Sequence, residues 1–122
     1  MPTFAKEKLS GSTDGQGIVI SNTATAGNLI HTGPSNASQY HEIWIYAMHH
    51  GGTSSTSTKL TVEYGNANTF NNIELSITSE AGLSLVIPGL LLQGNATTAP
   101  TIRAFANIAN NLSLHGYVHT IT

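Results

Sequence analysis

Six histidines, at positions 31, 41, 49, 50, 115 and 119, are the side chains of this chain best suited to metal or proton chemistry. His115, Tyr117 and His119 alternate, so an extended backbone puts all three on one face. Residues four apart along a strand are about 13 Å apart, too far for His115 and His119 to grip one ion. His49 and His50 are adjacent and point to opposite faces of a strand. His31 and His41 flank a turn-rich segment across which they can approach each other. The chain has no cysteine to complete a thiolate site. The imidazoles therefore read as hydrogen-bonding surface or interface groups, with no metal and no cofactor expected. Complete protonation would move the formal charge of −2 past zero, so weak self-association is expected in mild acid.

Hydrolytic machinery is poorly supported, and no catalytic residue is assigned. The sole aspartate, Asp14, lies in a Gly/Ser/Thr-rich stretch, and no Gly-x-Ser-x-Gly elbow, His-Glu-x-x-His or paired-carboxylate motif is present. Glu42, Glu63, Glu74 and Glu80 fall at polar positions of strands or turns and read as solvated faces. The stretch Gly11 to Gly17 lacks the Gly-Lys-Ser/Thr ending and the flanking strand and helix of a phosphate cradle. It reads as a linker.

Glu42 to Met48 carries the sole tryptophan. Trp44, Tyr46 and Met48 fall on one side, and Ile43, Ile45 and Ala47 on the other. Both faces are largely apolar, so this strand is central and covered twice: by the core on one side and by further packing, a neighbouring subunit or a stacked sugar on the other. Trp44, Tyr46, His115, Tyr117 and His119 are accordingly the expected oligomer interface.

Charge content narrows the function classes further. Asp, Glu, Lys and Arg make up 8% of 122 residues, where an ordinary soluble domain carries about 25%. Ser, Thr and Asn take their place with 12, 16 and 11 copies. With six acids and four bases, the chain has neither the basic stripe that nucleic acid requires nor a pull toward anionic lipid. Residues 1–9 contain no apolar signal region, and the most apolar run, Leu83 to Leu92, is interrupted by Pro88 and Gly89 and too short to span a bilayer. A surface this neutral lacks the repulsion that keeps monomers apart, and it suits permanent symmetric assembly.

The elements that must position these groups are short strands. Residues 59–64 and 73–77 alternate polar and apolar side chains, the period of a half-buried antiparallel strand. Residues 18–20, 28–32, 42–48, 83–87, 101–107 and 112–121 are rich in β-branched or aromatic residues. Between them lie turns at Gly33 to Asn36, Gly51 to Ser55, Gly65-Asn66, Pro88-Gly89 and Gly94-Asn95. With almost no helix to cover a parallel sheet, the expected fold is all-β: one antiparallel, jelly-roll-like β-sandwich of about eight strands over residues 17–122. Residues 1–16 are expected to form a flexible arm, ordered only against a partner.

The segments Lys8 to Ile18, Glu42 to Ala47, Leu60 to Gly65, Leu85 to Leu92, Arg103 to Ala106 and His115 to Val118 resemble small structural proteins of tailed bacteriophages, in particular head decoration, or cement, proteins. The resemblance rests on packing and turn residues and transfers no matched site. It implies a virion protein made in the bacterial cytoplasm. Such a protein is β-rich, commonly a homotrimer, and binds the major capsid protein on the outside of the mature head. The arm, through Phe4, Lys6, Lys8 and Leu9, would dock on the capsid. A glycan-binding or tail-associated module using Tyr40, Trp44, Tyr46 or Tyr117 as stacking platforms is the alternative.

Overall fold

The computed structural model describes residues 3–51 and 57–122. Nine strands run through them: β1 (Phe4–Lys8), β2 (Ile18–Val19), β3 (Asn28–Thr32), β4 (Tyr40–His49), β5 (Ser57–Gly65), β6 (Asn72–Thr78), β7 (Ser84–Gln93), β8 (Thr101–Ala106) and β9 (Leu112–Ile121). A single 3-10 turn, Thr69–Asn71, lies between β5 and β6. The protein is all-β, with two antiparallel sheets. One sheet has the order β1-β9-β4-β7, with β2 also on β9; the other is β3-β8-β5-β6. Of the expected Gly51 to Ser55 turn, residues 52–55 lie outside the described residues.

The pairings nest: β5 with β6, β4 with β7, β3 with β8, and β2 with β9. The chain is thus one long hairpin folded back on itself, and the rungs β4–β9 and β5–β8 stitch neighbouring pairs into the two sheets. Alternation decides what lies between the sheets. Ile43, Ile45 and Ala47 of β4 and Leu114 and Val118 of β9 turn inward. They meet a core that includes Leu60 and Val62 of β5 and Ile102, Ala104 and Ala106 of β8. Each large aliphatic side chain buried this way contributes about 1.5–3 kcal/mol.

Two expectations need correction. Pro88 and Gly89 do not form a turn; they lie inside β7. β7 is an edge strand, where a missing N–H leaves no ladder partner unsatisfied, and the β4–β7 register shifts beside them, at Ile43/Trp44 and Ile45/Tyr46, absorb the irregularity. Gly89 has φ +82°, and a Cβ there would lie 2.8 Å from the Trp44 ring. This glycine makes room for the indole.

The second correction concerns residues 1–16. Residues 4–8 are a strand on β9, Phe4 opposite Ile121 and Lys8 opposite Tyr117, so their order does not wait for a partner. All five side chains of β1 are exposed, and hydrophobic periodicity had nothing to register. Leu9, expected to contact a capsid, is fully buried in the core. Beyond it the Gly11 amide donates to the Ile30 carbonyl at 2.9 Å, and the segment returns to β2 farther along the same edge of β9. Residues 9–17 thereby wrap one open side of the sandwich.

A pair of alanine substitutions separates arm from core. Leu9→Ala is expected to cost about 2–4 kcal/mol in urea unfolding, whereas Phe4→Ala stays within about 0.5 kcal/mol. Equal, small losses at both positions would contradict the buried placement of Leu9.

Candidate functional site

The outer face of the β1-β9-β4-β7 sheet collects most of the aromatic side chains, with Glu42, Lys6 and His119 among them. Inward packing of Ile43, Ile45 and Ala47 sends Glu42, Trp44 and Tyr46 outward, and Val118 does the same for Tyr117 and His119. Register then aligns them across the two strands: Glu42 with His119, Trp44 with Tyr117, and Tyr46 with His115. All five residues expected at an oligomer interface therefore share one face, where each is half-buried. The Trp44 and Tyr117 rings are nearly parallel, at 15°, with centroids 6.3 Å apart. Tyr117 and His119 are tilted, with centroids 5.4 Å apart. On the flank, β1 brings Lys6 opposite His119 and sets its ammonium 4.7 Å from the centre of the Tyr117 ring. Such a cation over an aromatic face is worth about 0.5–1 kcal/mol at an exposed site.

One carboxylate oxygen organises the centre. Trp44 Nε1–H donates to Glu42 Oε1 at 2.7 Å, and His119 Nδ1 lies 3.0 Å from the same atom. These contacts hold the Glu42 carboxyl below the usual range, chiefly through the Trp44 hydrogen bond, with His119 adding to it. The indole is thus held at its N–H by Glu42 and accommodated along its ring by Gly89. On the next rung Gly116 admits the Trp44 backbone, since a Cβ there would lie 2.1 Å from its carbonyl oxygen. Around this centre Phe4, Leu85 and Leu91 are exposed, Phe4 by 68%. A shallow depression of about 280 Å³ lies between Phe4, Lys6 and His119. His115 is at the margin, where Gly17 packs against its ring.

The remaining expected positions divide. Lys6 joins this face through Tyr117, and Lys8 borders it with its ammonium donating to the Ser12 carbonyl at 2.9 Å; Leu9 does not take part. His31 and His41 do meet: His31 Nε2 and His41 Nδ1 are 2.8 Å apart. They line a groove of about 240 Å³ with Glu7, Ser10, Thr32 and Thr120. Among the described residues no group of three or more His, Cys, Asp or Glu is arranged to hold a metal.

Glu63 corrects the reading of the carboxylates as solvated. It is only 2% exposed, accepting from the Thr25 hydroxyl and, at 2.8 Å, from the Gly27 amide. The segment between β2 and β3 folds over it, and Arg103 ties that segment down by donating to the Gly27 carbonyl at 3.1 Å. Glu74, by contrast, is a half-exposed partner of Lys59 at 3.0 Å. Periodicity assigned Glu63 correctly to an outer face; what it could not register was a loop covering that face.

No protein-family model, no curated protein and no solved structure matches the chain. Among the described residues no helix is long and apolar enough to cross a membrane.

Trp44 reports directly on its carboxylate because it is the sole tryptophan. Its emission is expected to change on acidification with a midpoint below the ordinary glutamate value, and Glu42→Gln is expected to abolish that step. Persistence of the step in the variant would assign it to another group.

Proposed function

We propose that this chain is a virion structural protein: a decoration, or cement, protein that assembles as a homotrimer and seats on the major capsid protein at the outer surface of a mature phage head. The observation that carries the reading is the outer face of the β1-β9-β4-β7 sheet. There a rigid aromatic pair, Trp44 and Tyr117, is surrounded by the exposed Phe4, Leu85 and Leu91 on a body with very few charges. Aromatic anchors inside a neutral polar rim are the usual composition of a protein interface.

The nested strand pairs support the finer architecture, a jelly roll. That arrangement of two four-strand layers recurs in viral shell proteins and in lectins. In the proposed assembly Trp44, Tyr46, Tyr117 and His119, with His115 at the margin, face a neighbouring subunit. Phe4, Lys6 and Lys8 on the β1 edge approach the capsid. Leu9 is withdrawn from the docking set because it belongs to the core.

The mechanism is mass action. A trimer that binds only the expanded shell stabilises that state by its binding free energy. Three linked feet then hold far longer than one weak contact. No substrate is turned over and no cofactor is used; the work is done by surface burial at lattice points of the shell.

Sedimentation tests the assembly and emptied heads test the partner. The wild-type chain is expected to sediment as a trimer and to bind expanded heads. Tyr117→Glu, which removes an aromatic anchor and puts a carboxylate into the interface, is expected to give folded monomers and to weaken head binding at least about tenfold through lost avidity. A wild-type chain that stays monomeric and ignores the heads would overturn the proposal.

A further inference from the structure

The groove between the two sheets contains a hydrogen-bond chain with one direction only. The Ser10 backbone amide donates to His31 Nδ1 at 3.0 Å. An amide nitrogen has no acceptor role, so Nδ1 is bare and the His31 proton sits on Nε2. Nε2–H then donates to His41 Nδ1 at 2.8 Å, which leaves the His41 proton on Nε2, toward the groove. Both rings are neutral in this arrangement, and every shared contact has one hydrogen.

There is no place for a third ring proton. Put on His31 Nδ1, it faces the Ser10 N–H. Put on His41 Nδ1, it faces the His31 Nε2–H. Shifting the shared hydrogen to relieve that clash moves the excess back to His31 Nδ1 and the Ser10 amide. Every protonated form of the closed pair therefore sets two donors against each other.

What the pair holds is the wrap from β1 to β3. Besides the amide bond to His31, Ser10 Oγ accepts from the Thr32 amide at 2.7 Å, and the Gly11 amide donates to the Ile30 carbonyl at 2.9 Å. A Cβ at Gly11 would stand 2.4 Å from the Leu29 carbonyl oxygen, so this approach is close. We propose that the His31–His41 pair is a proton-operated latch, which clamps residues 9–12 onto β3 at neutral pH and releases them, together with the edge strand β1, in acid.

The groups around the pair fit that role. From β1, Glu7 is the one acid lining the groove; Lys8, also at its rim, has its ammonium on the Ser12 carbonyl. β9 offers only the uncharged Val118 and Thr120, and β3 adds Thr32. Burial, and secondarily His41, depress His31 to about 4. Burial also lowers His41, with Glu7 opposing. Above an ordinary histidine value of 6.5 neither the closed nor the open form takes a proton, so pH has no leverage. Between 6.5 and about 4 the open form binds protons that the closed form refuses, and the latch weakens as pH falls. Lower still, the effect levels off.

Amide hydrogen exchange, corrected for intrinsic rate, tests the latch in the full chain. Protection of Ser10 and Gly11 is expected to fall at least about tenfold between about pH 7 and about pH 4.5, while Val62 in the centre of β5 keeps its protection. His31→Gln keeps an oxygen to accept from Ser10 and an N–H to donate to His41 but does not titrate. It leaves His41 as the one titrating ring of the pair and is expected to cut the slope of the pH dependence at both amides by about half. A flat wild-type profile, or an equal slope in His31→Gln, would overturn the proposal. Nitrogen-15 spectra of the wild-type imidazoles give a reading that needs no variant. His31 is expected to keep Nδ1 bare until the Ser10 amide loses protection, and a proton on Nδ1 with Ser10 still protected would refute the latch.

Discussion

The alternation of β4 is the constraint on which the rest of the molecule depends. With Ile43, Ile45 and Ala47 committed to the core, Glu42, Trp44 and Tyr46 have only the outer face left. The neighbouring strands must then accommodate an indole on an otherwise flat sheet. Gly89 and Gly116 do so by carrying no side chain where the ring and its backbone come close. Slipping this strand by one residue would exchange the two faces and put a carboxylate among aliphatics. The outer cluster and the core are two sides of one register.

Scarce charge shapes both sites. On the outer face the ionic groups are spent on fixing aromatic rings: Glu42 on Trp44, and Lys6 on Tyr117. On the covered outer face of the other sheet, Glu63 gathers a hydroxyl and an amide so that the segment between β2 and β3 lies over it. Neutral histidines fill a comparable role at the other site, where a charged pair would need counter-ions that the chain hardly possesses. Polar bonding without net charge leaves the remaining exterior compatible with close contact to another protein.

Much of this was legible in the residues, for identifiable reasons. β3 and β9 have the expected limits because β-branched and aromatic runs end at turn residues. The grouping of Trp44, Tyr46, His115, Tyr117 and His119 follows from period two, and the meeting of His31 with His41 from the short connection between them. β1 was not legible, since Phe4 to Lys8 has no apolar face and owes its order to the edge of a strand more than a hundred residues away. Leu9 looked like part of a polar arm because one buried side chain leaves no periodic trace. Pro88 and Gly89 signal a turn locally, and only their place on an edge beside Trp44 keeps the strand going.

The nested pairing also imposes an order on folding. β5 and β6 are joined by a short turn and can pair with little loss of loop entropy, whereas β2 and β9 enclose nearly the whole chain. Each successive pair closes a longer loop, so an inside-out zipper is the least costly route, and the amino-terminal edge is the last to be completed. On that route the closure that buries Leu9 and seals the sandwich comes at the end.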